Sequence, residues 1–408
     1  MTLDVLGQSA ARSVGGEAVR ARLRVRDLAA SKVREVANAG LSRSDVLRFW
    51  FGESDQPTPQ PIVAAAMSAL AQGRTFYAHN LGLPELRDAL QAYLEALHGR
   101  PIAYDAVSVT SSGVSALMIA MQAILDPGDR VVAVTPVWPN VAEIPRILGA
   151  EVVRLPLRPK AERWRLDLDA LLDAITPRTR LVLLNSPGNP TGWTLEPEQL
   201  APILEHCRRL GVWLLSDDVY ERLVFGSRLS APSFLSIAEP GDRLISTNSF
   251  SKAWLMTGWR LGWITAPPGL QQDLTKLIEY NTSCAPEFVQ CAGLAALACG
   301  DQPIEALRRS LLARKDQLLT ALARLERLEA TRPDGGMYVM VRIPGFEDSV
   351  ALAKRLVEEA GLGLAPGLAF GAESEGWLRW CVAVAPDALA EGVRRLEAWL
   401  AADPRPAA

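Results

Sequence analysis

The sequence predicts an α/β protein: a large domain with a mainly parallel seven-stranded sheet between helices, and a smaller α/β domain made from both chain ends. Three observations predict it. Seven short β-rich runs, at 107–110, 131–135, 152–155, 180–184, 212–216, 243–247 and 260–265, alternate with helical stretches such as 114–125 and 197–210. Such alternation argues for a mainly parallel sheet covered on both faces. A long helical stretch at 304–328 then leads into strand, helix, strand and helix at 337–343, 349–360, 377–384 and 386–401. With 408 residues, 49% hydrophobic and 22% charged, the chain has the length of two or three domains and an ordinary globular composition.

Taken in order, residues 1–18 mix Ser, Gly and Ala without periodicity and are expected to form a flexible arm. From 18 to 39, Leu23, Leu28, Val33 and Val36 fit one helix with a basic outer face, closed by Gly40. Residues 48–53 read as a short strand, and the Pro-rich stretch 55–61 as a crossing between domains. A helix at 62–72, a loop at 73–77 and a helix opening at Pro84 precede the alternating region. The expected division is therefore a small domain from 19–60 and 300–408, and a large domain from 61–299. The chain has no internal repeat, which excludes a solenoid.

Net charge is −3 with basic residues thinly spread, so no nucleic-acid partner is expected. No apolar run reaches membrane-spanning length, and the N-terminus lacks a basic-then-apolar signal pattern. The five cysteines are odd in number and show no metal spacing, which reads as reduced thiols in the cytoplasm. The three histidines are scattered, and no metal site is expected.

The chemistry centres on the run from Asn248 to Trp263, which follows an apolar strand-like stretch. It sets Lys252 among hydroxyls and large apolar side chains. Desolvation disfavours a charged amine, so a lysine there offers a neutral nucleophile near neutral pH. Such an amine forms an imine with an aldehyde, and Ser249 and Arg260 are suited to grip a phosphate. An aldehyde that carries a phosphate suggests pyridoxal 5′-phosphate. Four further requirements of that group have candidates just after other strands. Ser112, Gly113 and Val114 open a helix and offer backbone N–H groups to the phosphate, although Ser112 would equally serve as a helix cap. Trp138 offers a flat face to the ring, or is a core tryptophan. Asn189, in Asn189-Pro190-Thr191-Gly192, offers a hydrogen bond to the ring's phenolic oxygen, with Tyr220 beside it; the loop could also be a plain turn. Asp217 ends a buried strand and is placed to keep the ring nitrogen protonated, or forms a cap with Asp218.

Ser112-Gly113, Trp138, Asn189-Pro190-Thr191-Gly192, Asp217-x-x-Tyr220, Ser249-x-x-Lys252 and Arg260 stand in an order and spacing that resembles the class I/II aminotransferases of the aspartate aminotransferase-like fold (fold type I). The resemblance covers roughly residues 19–400. It implies a pyridoxal-phosphate enzyme that moves an amino group between an L-amino acid and a 2-oxo acid in two half-reactions. It implies that Lys252 holds the cofactor and then acts as general base, with Asp217 and Tyr220 supporting the chemistry. It further implies that Arg379 clamps the substrate α-carboxylate, that Gly52 lies near the substrate, and that Tyr77 reaches the partner's phosphate across a homodimer interface.

Some positions depart from the pattern. Val114 stands where aspartate-specific members of the nearest bacterial subgroup carry a lysine for the distal carboxylate, which favours a neutral or aromatic amino donor. Arg74 is a further cation that could serve a dicarboxylate. Asp218 stands where Glu is common, and Val141 where an aromatic is frequent. Two other readings share the fold: a lyase or decarboxylase with the same cofactor, and a non-catalytic ligand-sensing module.

Overall fold

The computed structural model describes residues 20–402; the arm expected at 1–18 lies outside them. The central strands alternate between two buried layers, residue by residue. Val107, Val109, Val132, Val134, Val182 and Leu184 face one core, which also holds Phe250, Trp254 and Trp263. Val131, Ala133, Leu181, Leu183, Leu215 and Ile245 face the other. A strand buried on both faces needs apolar residues at every position, which is why these runs read as continuous Val/Leu/Ile.

In chain order the strands are β1 (Leu47–Arg48), β2 (Val107–Thr110), β3 (Arg130–Thr135), β4 (Glu151–Pro156), β5 (Arg158–Lys160), β6 (Arg163–Arg165), β7 (Thr179–Asn185) and β8 (Trp213–Asp217). They continue with β9 (Leu244–Ser249), β10 (Gly262–Thr265), β11 (Glu329–Ala330), β12 (Tyr338–Arg342), β13 (Leu362–Gly363), β14 (Ala365–Pro366) and β15 (Trp377–Cys381). Seven of them form the large sheet, in the order β2-β10-β9-β8-β7-β3-β4. Within it β10 is antiparallel to β2 and β9, and the other pairs are parallel. That single reversal matters for the site. It brings the start of β10 to the edge where the other strands end, with Gly262 opposite both Thr110 and Ser249.

The smaller layer joins the two ends of the chain. β1 pairs in parallel with β13, and β11, β12, β15 and β14 form a four-stranded sheet with its own core around Trp50, Tyr338, Trp380 and Leu356. The helix Gln302–Leu322 runs into this layer and buries Leu307, Leu311, Leu318 and Leu322 in the same core.

The structure corrects two expected elements. The single helix expected over 18–39 is broken into Leu23–Arg26 and Lys32–Gly40. Ser31 caps the second by accepting the Arg34 amide at 3.3 Å, which fixes a new start in mid-pattern. The strand expected at 48–53 ends at Arg48. The Phe49 amide still donates to Gly363 at 2.8 Å, and beyond it Trp50, Phe51 and Gly52 leave the ladder to line a cavity. The hairpin β5–β6 and the short strands β11, β13 and β14 were not expected. Each spans only two or three residues, too few for a period to show.

Candidate active site

A cavity of about 670 Å³ opens where the large sheet's strand ends meet the small layer. It is lined by Gly52, Gly113, Val114, Trp138, Asn189, Asp217, Tyr220, Ser249, Lys252, Arg260 and Arg379. Eleven of the expected site residues, drawn from positions 52 to 379, thus meet in one place. Two do not. Ser112 lies behind the wall, where its hydroxyl accepts the Ser115 amide at 3.0 Å as the cap of the helix Gly113–Ile124. Tyr77 is away from the cavity and 89% exposed.

The segments expected to cradle an anion are brought together by close backbone approach. The helix after β2 presents its first amides, those of Gly113 and Val114, toward the cavity end of Ser249 and Arg260. A Cβ on Gly262 would lie 2.6 Å from the Gly113 nitrogen, and one on Gly113 would lie 3.0 Å from the Ser249 Cβ. Only glycine permits this approach. The Ser249 hydroxyl accepts the Ser251 amide at 3.1 Å and donates to the Leu261 carbonyl at 3.0 Å, which closes the turn carrying Lys252. Arg260 donates to the Thr257 carbonyl at 2.7 Å and has no carboxylate partner among the described residues. Burial holds its guanidinium below its usual range.

Lys252 donates to the Gly52 carbonyl at 2.5 Å. Burial pulls its ammonium down to about 8, and the cations Arg379 and Arg260 push the same way. Asp217 is 5% exposed; its carboxylate has only a long contact with the Val219 amide, 3.4 Å, and no cation partner among the described residues. Burial, with Asp218 next to it, pushes the Asp217 carboxyl up to about 7. Asp218 faces away and is held by the hydroxyls of Ser216 and Ser246, each at 2.5 Å.

Arg379 is 3% exposed and sits between the rings of Tyr338 and Phe370, at 4.3 and 4.7 Å from their centroids. It donates to Asn189 Oδ1 at 2.7 Å and to the Trp50 carbonyl at 2.5 Å, while its Nε has no partner among the described residues. Asn189 is itself fixed by Asn185, whose Oδ1 accepts its amide and whose Nδ2 donates to the Asp217 carbonyl, both at 2.9 Å. Tyr220 meets Tyr338 hydroxyl to hydroxyl at 2.6 Å. Arg74, the other cation considered for a dicarboxylate, is engaged by Glu287 at 2.7 Å.

Asn185, Trp50, Tyr338 and Phe370 belong to this site and were not anticipated. Asn185 had a signal: it ends a buried strand directly opposite Asp217. An aromatic residue at the edge of an apolar run had none, since it reads as core.

The sequence profile of the family described as Aminotransferase class I and II matches residues 44–396. Among curated relatives, an aspartate aminotransferase of Pyrococcus horikoshii is 32% identical over 370 residues, 90% of this chain and 94% of that one. An arginine–pyruvate transaminase of Pseudomonas aeruginosa is 34% identical, covering 86% of this chain and 89% of the relative. A valine–pyruvate aminotransferase of Mycobacterium tuberculosis is also 34% identical, at 88% and 92%. The solved aspartate aminotransferase of Thermus thermophilus with maleate superposes with a TM-score of 0.86 at 32% identity, covering 94% of this chain and all of that one.

Proposed function

The chain belongs to the class I and II aminotransferases, and from that premise we propose that it holds pyridoxal 5′-phosphate on Lys252 and takes a neutral or aromatic L-amino acid as donor. It is a transaminase of amino acids and 2-oxo acids. The observation that carries the rest of the reading is a set of three charged groups without a counter-ion around one lysine, among the described residues. Among the described residues, Asp217 is a buried carboxylate without a cation, Arg260 a partly buried cation without a carboxylate, and Arg379 a buried arginine with a free Nε. Leaving charged groups so poorly partnered is costly unless a ligand completes them.

The residues fit that cofactor. Arg260, Ser249 and the amides of Gly113 and Val114 would take its phosphate, Asp217 its ring nitrogen, Asn189 and Tyr220 its ring oxygen, and Trp138 one face of the ring. When bound, the cofactor supplies an electron sink for the bonds at the substrate α-carbon. The protein supplies the remaining functions. Arg379, oriented by Asn189 and Trp50, binds the α-carboxylate in a fork geometry. Lys252 Nζ, neutral in useful fraction because burial lowers its proton affinity, removes the α-proton and would deliver it to a carbon of the bound cofactor instead of back to the α-carbon. The Gly52 carbonyl aims that nitrogen. The small layer shields the site from water with Trp50 and Phe51.

The donor preference rests on the outer wall. Val114, Leu117, Met118, Ile144 and Ile147 are apolar, and Glu143 is engaged by Arg146 at 3.0 Å. A distal carboxylate against those apolar side chains would be buried without a partner unless it reached Arg34, the one cation on the N-terminal side of the cavity. We read the protein as a homodimer, supported by the exposed Phe76, Tyr77, Tyr280 and Met67, at 80, 89, 89 and 64%. The five unpaired cysteines support a cytoplasmic setting.

The test is the visible absorption of the purified protein as single amino acids are added without any oxo acid. A yellow protein that bleaches with leucine or phenylalanine, and poorly with aspartate, carries both the cofactor and the donor reading. Bleaching with aspartate alone overturns the donor class, and a protein that stays colourless with added pyridoxal phosphate overturns the cofactor. Lys252→Ala, folded by circular dichroism, is expected to lose turnover entirely.

A further inference from the structure

We propose that Tyr338 is a positioning residue that couples the carboxylate clamp at Arg379 to the hydroxyl of Tyr220; this rests on the reading of Lys252, Tyr220 and Arg379 given above. Tyr338 opens β12 in the small layer, yet the chain leading to it is stitched to loops of the large sheet. The amides of Asp334 and Gly335 both donate to the Gly192 carbonyl, at 2.9 and 3.0 Å, and the Gly336 amide donates to the Leu223 carbonyl at 2.6 Å. A Cβ on Gly335 would stand 2.8 Å from the Leu223 oxygen. The side chain that follows is thereby held in register with Tyr220, three residues before Leu223.

The two phenols are each 1–3% exposed, and neither hydroxyl has another hydrogen-bond partner among the described residues. Each carries one proton. If Tyr220 directs its proton to the ring oxygen of the cofactor, Tyr338 must donate into the Tyr220 oxygen. Burial pushes both phenols up, Tyr338 to about 12, so both stay protonated donors. The Arg379 guanidinium lies 4.3 Å over the Tyr338 ring, and a cation on a ring face strengthens the phenol as a donor. A carboxylate arriving at Arg379 neutralises that cation. Tyr338 then donates more weakly, Tyr220 in turn polarises its oxygen partner less, and the conjugated nitrogen at Lys252 gains proton affinity. Tyr338 lines the cavity, and its hydroxyl is engaged by Tyr220, through which it acts.

The test follows the visible band of the holoenzyme against pH, with and without saturating 3-phenylpropionate, a carboxylate that lacks the amine. In the wild type the probe raises the midpoint. In Tyr338→Phe, which keeps the ring under Arg379, the midpoint without probe is expected to lie at least half a pH unit higher. The rise caused by the probe should shrink to less than half, while the probe's Kd stays within threefold. In a Tyr220→Phe background the same change should shift the midpoint no further. Unchanged midpoint and unchanged rise would reduce Tyr338 to a space filler. So would additive shifts in the double variant, and a more than tenfold loss of probe affinity alone would make it part of the clamp. A wild-type protein without a pH-sensitive visible band removes the cofactor reading itself, and the coupling with it.

Discussion

Arg379 donates to the side-chain oxygen of Asn189 at 2.7 Å. The first lies on β15 of the small layer and the second on the loop after β7 of the large sheet. Their bond is a direct polar link between the two layers inside the cavity. The group assigned to the substrate and the group assigned to the cofactor's ring oxygen therefore share one hydrogen bond, and neither can be moved alone.

Arg379→Ala is accordingly expected to lower kcat/KM by about 10²–10³-fold, in line with the loss of a buried charge-assisted bidentate contact. Cofactor affinity should fall far less, by no more than the loss of Asn189's anchor allows. Equal loss of both, in kinetics and in an equilibrium cofactor titration, would move the carboxylate clamp elsewhere.

The buried Asp217 gives a pH prediction whose sign is opposite to that of an ion-paired carboxylate. Its folded-state value is pushed up to about 7 from 3.8, so its favourable contribution to the cofactor-free fold is present below about pH 4. That contribution is lost as the pH rises toward 7. Asp217→Asn should therefore stabilise the cofactor-free protein at pH 8 by about 1–3 kcal/mol and flatten its stability between pH 4 and 7. The same change should weaken cofactor retention. Urea unfolding of the cofactor-free forms across that range decides the point; an Asn variant less stable at pH 8 contradicts it.

Gly52 has a steric reason to be glycine. A Cβ there would lie 1.9 Å from the Tyr338 hydroxyl. Gly52→Ala must displace Tyr338, breaking its bond to Tyr220, or shift the carbonyl that receives Lys252. We expect a cost of about 1–3 kcal/mol in stability and at least a tenfold fall in kcat. Partly restored activity in Gly52→Ala/Tyr338→Phe, where the oxygen is gone and only the ring carbon at 2.9 Å must still give way, would identify the clash as the cause.

Val114 lies on the apolar part of the outer wall, opposite which Arg34 is the only cation lining the cavity's N-terminal side among the described residues. Val114→Lys is expected to raise kcat/KM for aspartate relative to leucine by roughly tenfold or more, since a paired distal carboxylate is no longer buried alone. Steady-state comparison of the two donors measures it, and an unchanged ratio would show that the distal group of the substrate lies elsewhere.

Much of this site could be read before any coordinates because its chemistry is written at strand ends. Asp217 ends a buried strand, Gly113, Asn189 and Lys252 stand in the loops just past the ends of three others, and parallel strands bring such ends to one edge. Arg260 was legible as a cation in the run that follows Lys252, and the reversed β10 is what turns that run back to the same edge. Arg379 and Gly52 came from resemblance; nothing local in Leu378-Arg379-Trp380 announces a clamp. Tyr338 and Phe370 were hidden because an aromatic beside apolar neighbours looks the same whether it packs a core or flanks an arginine. The helix break before Lys32 was hidden because the apolar spacing runs through it, and a single serine decides where the helix restarts. Ser112 was read both ways, and its own hydroxyl serves as the cap while the helix's free amides face the cavity.

The reversed strand β10 also sets an order of assembly. β2 joins the sheet only through β10, and their paired residues are about 150 positions apart in the chain. The first strand of the sheet must therefore wait, unpaired, until the last has been made, and such long-range closure is slow. The anion cradle closes in that same event, since Gly113 and Gly262 meet only there. If that cradle takes the phosphate of the proposed cofactor, phosphate affinity would report the completion of the sheet.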